Sequence, residues 1–322
     1  MKTPISLILD DPAPRVFVYR THAARPFTAD GRPLVPDVPN DFLDAFCDVT
    51  EAHGLAGKFS VVPCPGGEGD IVRGLRGFPD EELRYWLDTV RTRLGGRFAF
   101  CPEMLTHQRA VDLVHGGFFE ENEARWSMRQ SRAALTPYIT RALTLCRDAG
   151  IDCTGVTSPW DFGRLVEEEY AAAVMEAMEA VFGRTDSWYF CRSLYATPHA
   201  RPWVSLRDGR HHVVAIPGTI PDGFWRTMDT TDTSDAYVSR VADAYISADG
   251  RSGLIPEALA MDAWPILTTH WQSLFSIGLR TGLRALDEVA RRVGTHLSDE
   301  VEWTGFDELM RRAIEAPVHQ LG

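Results

Sequence analysis

Several common features are missing from this sequence, and each absence removes a class of protein. None of the six cysteines (Cys47, Cys64, Cys101, Cys146, Cys153, Cys191) belongs to a CxxC pair, so zinc-ribbon and dithiol patterns are excluded. A chain of 322 residues can bury a core without disulfide staples, which predicts free thiols in a reducing compartment. No run of eighteen apolar residues occurs, so no membrane-spanning helix is expected. The opening MKTPISLILDDPAP holds too short an apolar run for a secretory leader, which predicts a cytoplasmic protein. Lysine is nearly absent, with only Lys2 and Lys58. Acidic residues outnumber basic ones 45 to 33, for a net charge of −12. Such a surface repels phosphate backbones and anionic lipid, so neither nucleic acid nor membrane is an expected partner. Internal repeats and low-complexity linkers are also lacking, and one domain over residues 1–322 is the simplest reading.

What the chain does have is an alternation of short apolar runs and longer helical stretches. The runs Ile5–Leu9, Lys58–Val62, Arg97–Cys101, Cys153–Thr157, Trp188–Leu194, His211–Ile216 and Pro265–Thr269 read as strands. Helical spacing marks Asn40–His53, Pro79–Leu94, a long stretch Phe119–Gly150 bent or divided near Pro137, Phe162–Phe182, Thr231–Ser247, Ser276–Val293 and Phe306–Ala316. About seven strands separated mostly by helices imply parallel pairing, because a parallel connection needs a crossover. Runs that are apolar throughout fit a sheet covered on both faces. An α/β fold with a closed or nearly closed β/α barrel is the first expectation, and an open doubly wound sheet the second.

In such folds ligands bind at the carboxyl ends of the strands. Here those positions hold Asp10 and Asp11; Glu103 and His107; Ser158, Trp160 and Asp161; Arg192; Asp222 and Trp225; and His270 and Trp271. Adjacent residues of an extended chain point to opposite sides, so one of Asp10 and Asp11 can hold a metal while its neighbour takes another role. Glu103 and His107 are spaced i, i+4, which on a helical turn puts both on one face within reach of one ion. Asp, Glu and His together supply two oxygens and one nitrogen, and three protein ligands leave a position for water. Zn²⁺ fits best, with Mn²⁺, Fe²⁺, Co²⁺ or Ni²⁺ as alternatives. Trp160, Trp225 and Trp271 offer flat apolar platforms, while Lys58 and Arg192 offer positive charge to an anionic substituent. Each residue also has a plainer reading. Asp-Asp before Pro is a turn signal, Glu103 with His107 a helix cap, His270 a core histidine, and Lys58 a solvated strand edge. His211-His212 lies at the wrong end of its strand and reads as structural.

The ordered set resembles the polysaccharide deacetylase (NodB-type) superfamily within the wider glycoside hydrolase/deacetylase barrel group. The resemblance is carried by Leu7-Ile8-Leu9-Asp10-Asp11-Pro12, Glu103-Met104-Leu105-Thr106-His107, Ser158-Pro159-Trp160, the Asp222 and Trp225 pair, and Leu267-Thr268-Thr269-His270. It implies a distorted (β/α)7 barrel with outer helices. It further implies Asp10 as general base, Asp11 and His107 as metal ligands, and His270 as general acid. Glu103 stands where that family places a ligating histidine, and the family's Arg brace for the catalytic Asp has no counterpart in the third segment. The implied activity is metal-dependent hydrolysis of an acyl group, chiefly N-acetyl, from a carbohydrate or related small molecule, with Ser158, Asp222 and the residues above contacting substrate. The alternatives are a metal-free glycosidase pairing Asp11 with Asp161 or Asp222, and a carbohydrate-binding protein without turnover.

Overall fold

The computed structural model describes residues 2–15, 27–35 and 37–316. β1 (Thr3–Asp10) is buried from Pro4 onward, in keeping with an apolar run, Ile5–Leu9, broken only by Ser6. α1 (Asn40–His53) buries Phe42, Leu43 and Phe46 and ends at Gly54, left-handed at φ 64°, a conformation that glycine adopts without steric cost. β2 (Gly57–Val61) lies parallel to β1 with Gly57 opposite Leu7. A Cβ on Gly57 would fall 1.8 Å from the Leu7 carbonyl oxygen, so this close approach demands glycine. The short strands β3 (Gly69–Asp70) and β4 (Gly74–Leu75) precede α2 (Asp80–Thr89), whose first turn carries Asp80, Glu81 and Glu82 in accord with the helix dipole.

β5 (Phe98–Pro102) is followed by an antiparallel hairpin of β6 (Arg109–Val111) and β7 (Phe118–Asn122), then α3 (Glu123–Ser127) and α4 (Arg132–Asp148). Next come β8 (Gly155–Thr157), α5 (Glu167–Phe182), β9 (Asp186–Phe190), β10 (Trp203–Asp208) and β11 (His211–Ala215). α6 (Asp235–Asp243), α7 (Leu254–Ala260), β12 (Ile266–His270), α8 (Trp271–Phe275), α9 (Thr281–His296), β13 (Val301–Trp303) and α10 (Phe306–Glu315) complete the described chain. Among the described residues no helix is long and apolar enough to cross a membrane.

The fold is α/β with parallel sheets. One sheet runs in the order β12-β1-β2-β5, with β13 also on β1, and a second in the order β10-β11-β9-β8. Every pairing in both is parallel except β10 with β11. The two sheets meet at two seams. Parallel bridges Phe100–Cys153 and Glu103–Thr157 link β5 to β8, and Ile220–Leu267 links the segment after β11 to β12. The ladder is thus interrupted at both seams. Pro102, Pro217 and Pro221 lie there and have no N–H to extend it. Register places the strand ends together, with Asp10 opposite His270, Val61 opposite Pro102, and Glu103 bridged to Thr157.

Some expectations need correction. The stretch 119–150 is not a helical region bent or divided near Pro137. It begins as the strand β7, breaks at a short helix capped by Asn122, whose side chain accepts from Arg125 N, and resumes as α4 with Pro137 inside it. Gly116 and Gly117, both at positive φ, make the hairpin turn. The fifth strand stops at Phe190, leaving Arg192 in a loop. The helix expected from Ser276 starts at Thr281, because Ser276, Ile277 and Arg280 all have positive φ. The helix expected over Thr231–Ser247 is confined to Asp235–Asp243, capped by the Ser234 side chain.

Candidate active site

β1 delivers its two aspartates to different partners. Asp10 remains in the strand and takes a salt bridge from the Lys58 ammonium on the neighbouring β2. Ser60 Oγ lies 3.2 Å from the same oxygen, Oδ1. Lys58 is fully buried. Burial alone would lower its pKa, but the charges of Asp10, Cys101 and Glu103 outweigh it and hold the ammonium above its ordinary value. Lys58 is therefore neither a solvated edge nor an open arm for substrate. It is the counter-ion of Asp10, placed there because its strand position faces β1.

Asp11 leaves the strand with φ 65°. Its Oδ2 accepts from Gln272 Nε2 at 2.7 Å, and its Oδ1 lies 2.7 Å from His107 Nε2. Glu103 Oε2 accepts from the Asp11 backbone N–H at 2.7 Å, while Oε1 lies 3.3 Å from the same His107 nitrogen. One oxygen of each carboxylate is thus engaged in orientation, and the other faces the imidazole. Among the described residues, Asp11, Glu103 and His107 offer donor atoms that all lie within 4.8 Å of one another, and all three side chains are buried. Burial and the charges of Asp11 and Asp10 lift the Glu103 carboxyl to about 7. Burial would lower His107, but Asp11 and Glu103 raise it well above the imidazole range. Two buried carboxylates against one imidazole fit a divalent cation, since an ion in their midst takes over the charge that a proton otherwise balances.

The expected helical turn linking Glu103 to His107 is absent. Met104 and His107 have φ of 40° and 55°, and these left-handed steps, rather than i, i+4 helix geometry, bring the two side chains together. Trp160, also left-handed at φ 50°, sets its ring edge-on to His107 with centroids 4.5 Å apart. Strained backbone at several residues of one cluster is characteristic of functional sites. Glu123, one of several glutamates in an acidic stretch, gave no signal in the sequence, yet its buried carboxylate holds the loop of residues 105–107.

His270 ends β12 beside Asp10. Its Nδ1 is 2.8 Å from Asp222 Oδ2, and Asp222 also accepts from the His270 backbone N–H at 3.1 Å. Trp225 packs edge-on to the imidazole at 4.9 Å. Burial would lower His270, but the hydrogen bond and charge of Asp222, with Asp11 and Asp10 behind, carry it up to about 9. The side chain keeps 23% of its surface open. Asp222 is committed to His270 and to Phe224 N–H; it orients the imidazole rather than reaching substrate.

The remaining residues divide. Ser158 is buried with its hydroxyl 3.0 Å from Tyr170 OH. Trp160 and Trp225 are partly open, at His107 and His270 respectively. Arg192 pairs with Glu167 and lies over the Trp203 ring. Trp271 is a correction: it is fully buried and packs against Phe42, Phe46 and Phe59, so it is core and offers no face to a sugar. Asp161 is half-exposed and paired with Arg164. His115 is exposed beside Asp112 on the hairpin. His211 and His212 bind Glu179 and Asp186 in structural roles.

No protein-family profile and no curated protein matches the sequence. Solved structures do match. A crystal structure from Parabacteroides distasonis, described as a glycoside hydrolase/deacetylase, superposes with a TM-score of 0.50 at 10% identity, over 96% of this chain and 71% of that one. An exo-β-1,4-mannosidase from Opitutaceae bacterium strain TAV5 superposes at 0.38 and 12% identity, over 98% of this chain and 61% of that one. At such identity the first likeness concerns the fold: an α/β arrangement shared with a glycoside hydrolase/deacetylase protein.

Proposed function

We propose that this chain is a metal-dependent hydrolase that removes an acyl group, in first place N-acetyl, from a carbohydrate or related small molecule, on a distorted (β/α)7 barrel. The carrying observation is the convergence of Asp11, Glu103 and His107, from two separate strand ends, with donor atoms within 4.8 Å. The two seams, held by isolated bridges rather than a ladder, support a barrel whose sheet is distorted where they fall.

A divalent cation held by those three residues, Zn²⁺ before Mn²⁺, Fe²⁺, Co²⁺ or Ni²⁺, supplies Lewis-acid polarisation of an acyl oxygen and a more acidic water. Asp10 is the general base. Lys58 and Ser60 both engage its Oδ1, which orients the carboxylate, and Oδ2 would take the proton of the attacking water. His270, held protonated by Asp222, gives a proton to the departing amine or alcohol. Trp160 and Trp225, partly open beside His107 and His270, are the aromatic rings that a sugar would meet at this site. A metal-free pairing of Asp11 with Asp161 or Asp222 is disfavoured, because Asp161 is bound by Arg164 and Asp222 by His270.

The test is elemental analysis of the purified protein joined to a screen of N-acetylated sugars. One divalent ion per chain is expected, with His107→Ala losing it. Asp10→Asn should keep the ion and lose about 10²–10⁴ in turnover. Full activity after complete chelation would overturn the reading.

A further inference from the structure

We propose that Glu123 is the positioning residue for His107, fixing the direction from which that side chain meets the metal site; this rests on the metal-hydrolase reading. The carboxylate is fully buried and collects three successive backbone N–H groups of the ligand loop. Oε1 accepts from Leu105 and Thr106, each at 3.0 Å, and Oε2 accepts from His107 at 2.8 Å. Tyr138 OH donates to Oε1 at 2.7 Å. Consecutive N–H groups converging on an anion form a preorganised nest.

The other two ligands are oriented differently. Gln272 holds Asp11, and the Asp11 N–H holds Glu103. The His107 backbone, at φ 55°, is held in a left-handed conformation that a non-glycine residue keeps only when its surroundings over-determine it. The Glu123 carboxylate supplies that constraint. Glu123 lies sixteen residues beyond His107, across the β6–β7 hairpin, and its own N–H donates to the Gln108 carbonyl at 2.8 Å. The hairpin therefore lies between a ligand and its anchor in the chain, closed at its base by that anchor.

The experiment measures Zn²⁺ affinity by competition with a chromophoric chelator, and the absorption spectrum of the Co²⁺-substituted protein, for wild type, Glu123→Gln, Glu123→Asp and Tyr138→Phe. Glu123→Gln turns an amide N–H toward the His107 N–H, and Glu123→Asp withdraws the carboxylate by one methylene. Both should weaken Zn²⁺ by about 10–100-fold and alter the Co²⁺ bands. Tyr138→Phe removes a donor to the same carboxylate but none of the loop, and should bind Zn²⁺ close to wild type while losing thermal stability. Wild-type affinity in a folded Glu123→Gln or Glu123→Asp overturns the proposal, as does an equal loss in Tyr138→Phe. If Glu123→Gln does not fold, Glu123→Asp decides. If neither folds, Glu123 is a folding residue and the positioning claim fails. A wild-type protein that takes up no metal at all instead overturns the underlying reading.

Discussion

His270 and Asp222 show how one contact sets a proton's fate. Nδ1 sits 2.8 Å from the Asp222 oxygen, and the paired charge lifts the imidazole from its ordinary 6.5 to about 9. A histidine raised in this way contributes stability that is complete below about 6.5 and lost as pH rises through about 9. The proton needed by a leaving group is present over the same range. Asp222→Asn removes the charge while keeping a side chain of equal size. The alkaline limb of kcat/KM should therefore move to lower pH, by on the order of one unit or more, with little change on the acid side. A pH–rate profile of the two proteins reads this directly, and an unmoved alkaline limb would show that His270 is not the titrating acid. Lys58 makes a similar point about Asp10. One of only two lysines in the chain is spent inside the molecule on a single carboxylate, an arrangement that persists only because the pair is complete.

Between residue and molecule lie the seams, where isolated bridges stand in for a ladder. Gly218, bridged to Ser193, lies where an added Cβ would meet Thr268 Oγ1 at 2.5 Å and Ser193 Oγ at 3.2 Å. Gly218→Ala should push the segment after β11 away from β12 and cost about 1–3 kcal/mol of overpacking, measured by urea unfolding; a neutral result would mean the seam yields freely. Such seams also mark what the sequence could convey. β1, β2, β5 and β12 are buried runs built around apolar residues, and their positions were readable within a residue or two. So was the clustering of polar residues at their ends, because parallel strands place every carboxyl end on one side. The β6–β7 hairpin was not readable: Phe118 and Phe119 are both exposed, though adjacent in the strand, and carry no alternating burial pattern. The edge strand β10 was hidden for the same reason. Glu103 and His107 were rightly paired but for an unsuitable cause, since left-handed Met104 and His107 replace the helix that their spacing suggested. Trp271 misled because a tryptophan beside a candidate catalytic histidine looks like a platform, whereas the first turn of α8 directs it into the aromatic core.

For the molecule as a whole, the candidate ligands tie together distant parts of the chain. Asp11 closes β1, Glu103 and His107 follow β5, and Gln272, which holds Asp11, belongs to α8 near the other end of the sequence. An ion bound there is absent from the unfolded chain, so its binding energy adds to global stability. At a free concentration one hundred times Kd the gain is about 2.7 kcal/mol. With an unfolding entropy of roughly 2.1 cal/mol/K per residue, a chain of 322 residues should rise in Tm by about 4 °C. The rise should grow with the logarithm of Zn²⁺ concentration, vanish in His107→Ala, and survive in Asp10→Asn, because Asp10 is paired to Lys58 and not to the ion. Calorimetric scans of the chelated protein at increasing Zn²⁺ decide the matter. A net charge of −12 also gathers cations loosely over the surface, and that contribution is separable: it is screened by salt and is common to wild type and His107→Ala. An equal rise in both proteins would therefore place the ion on the acidic surface and not among the three converging side chains.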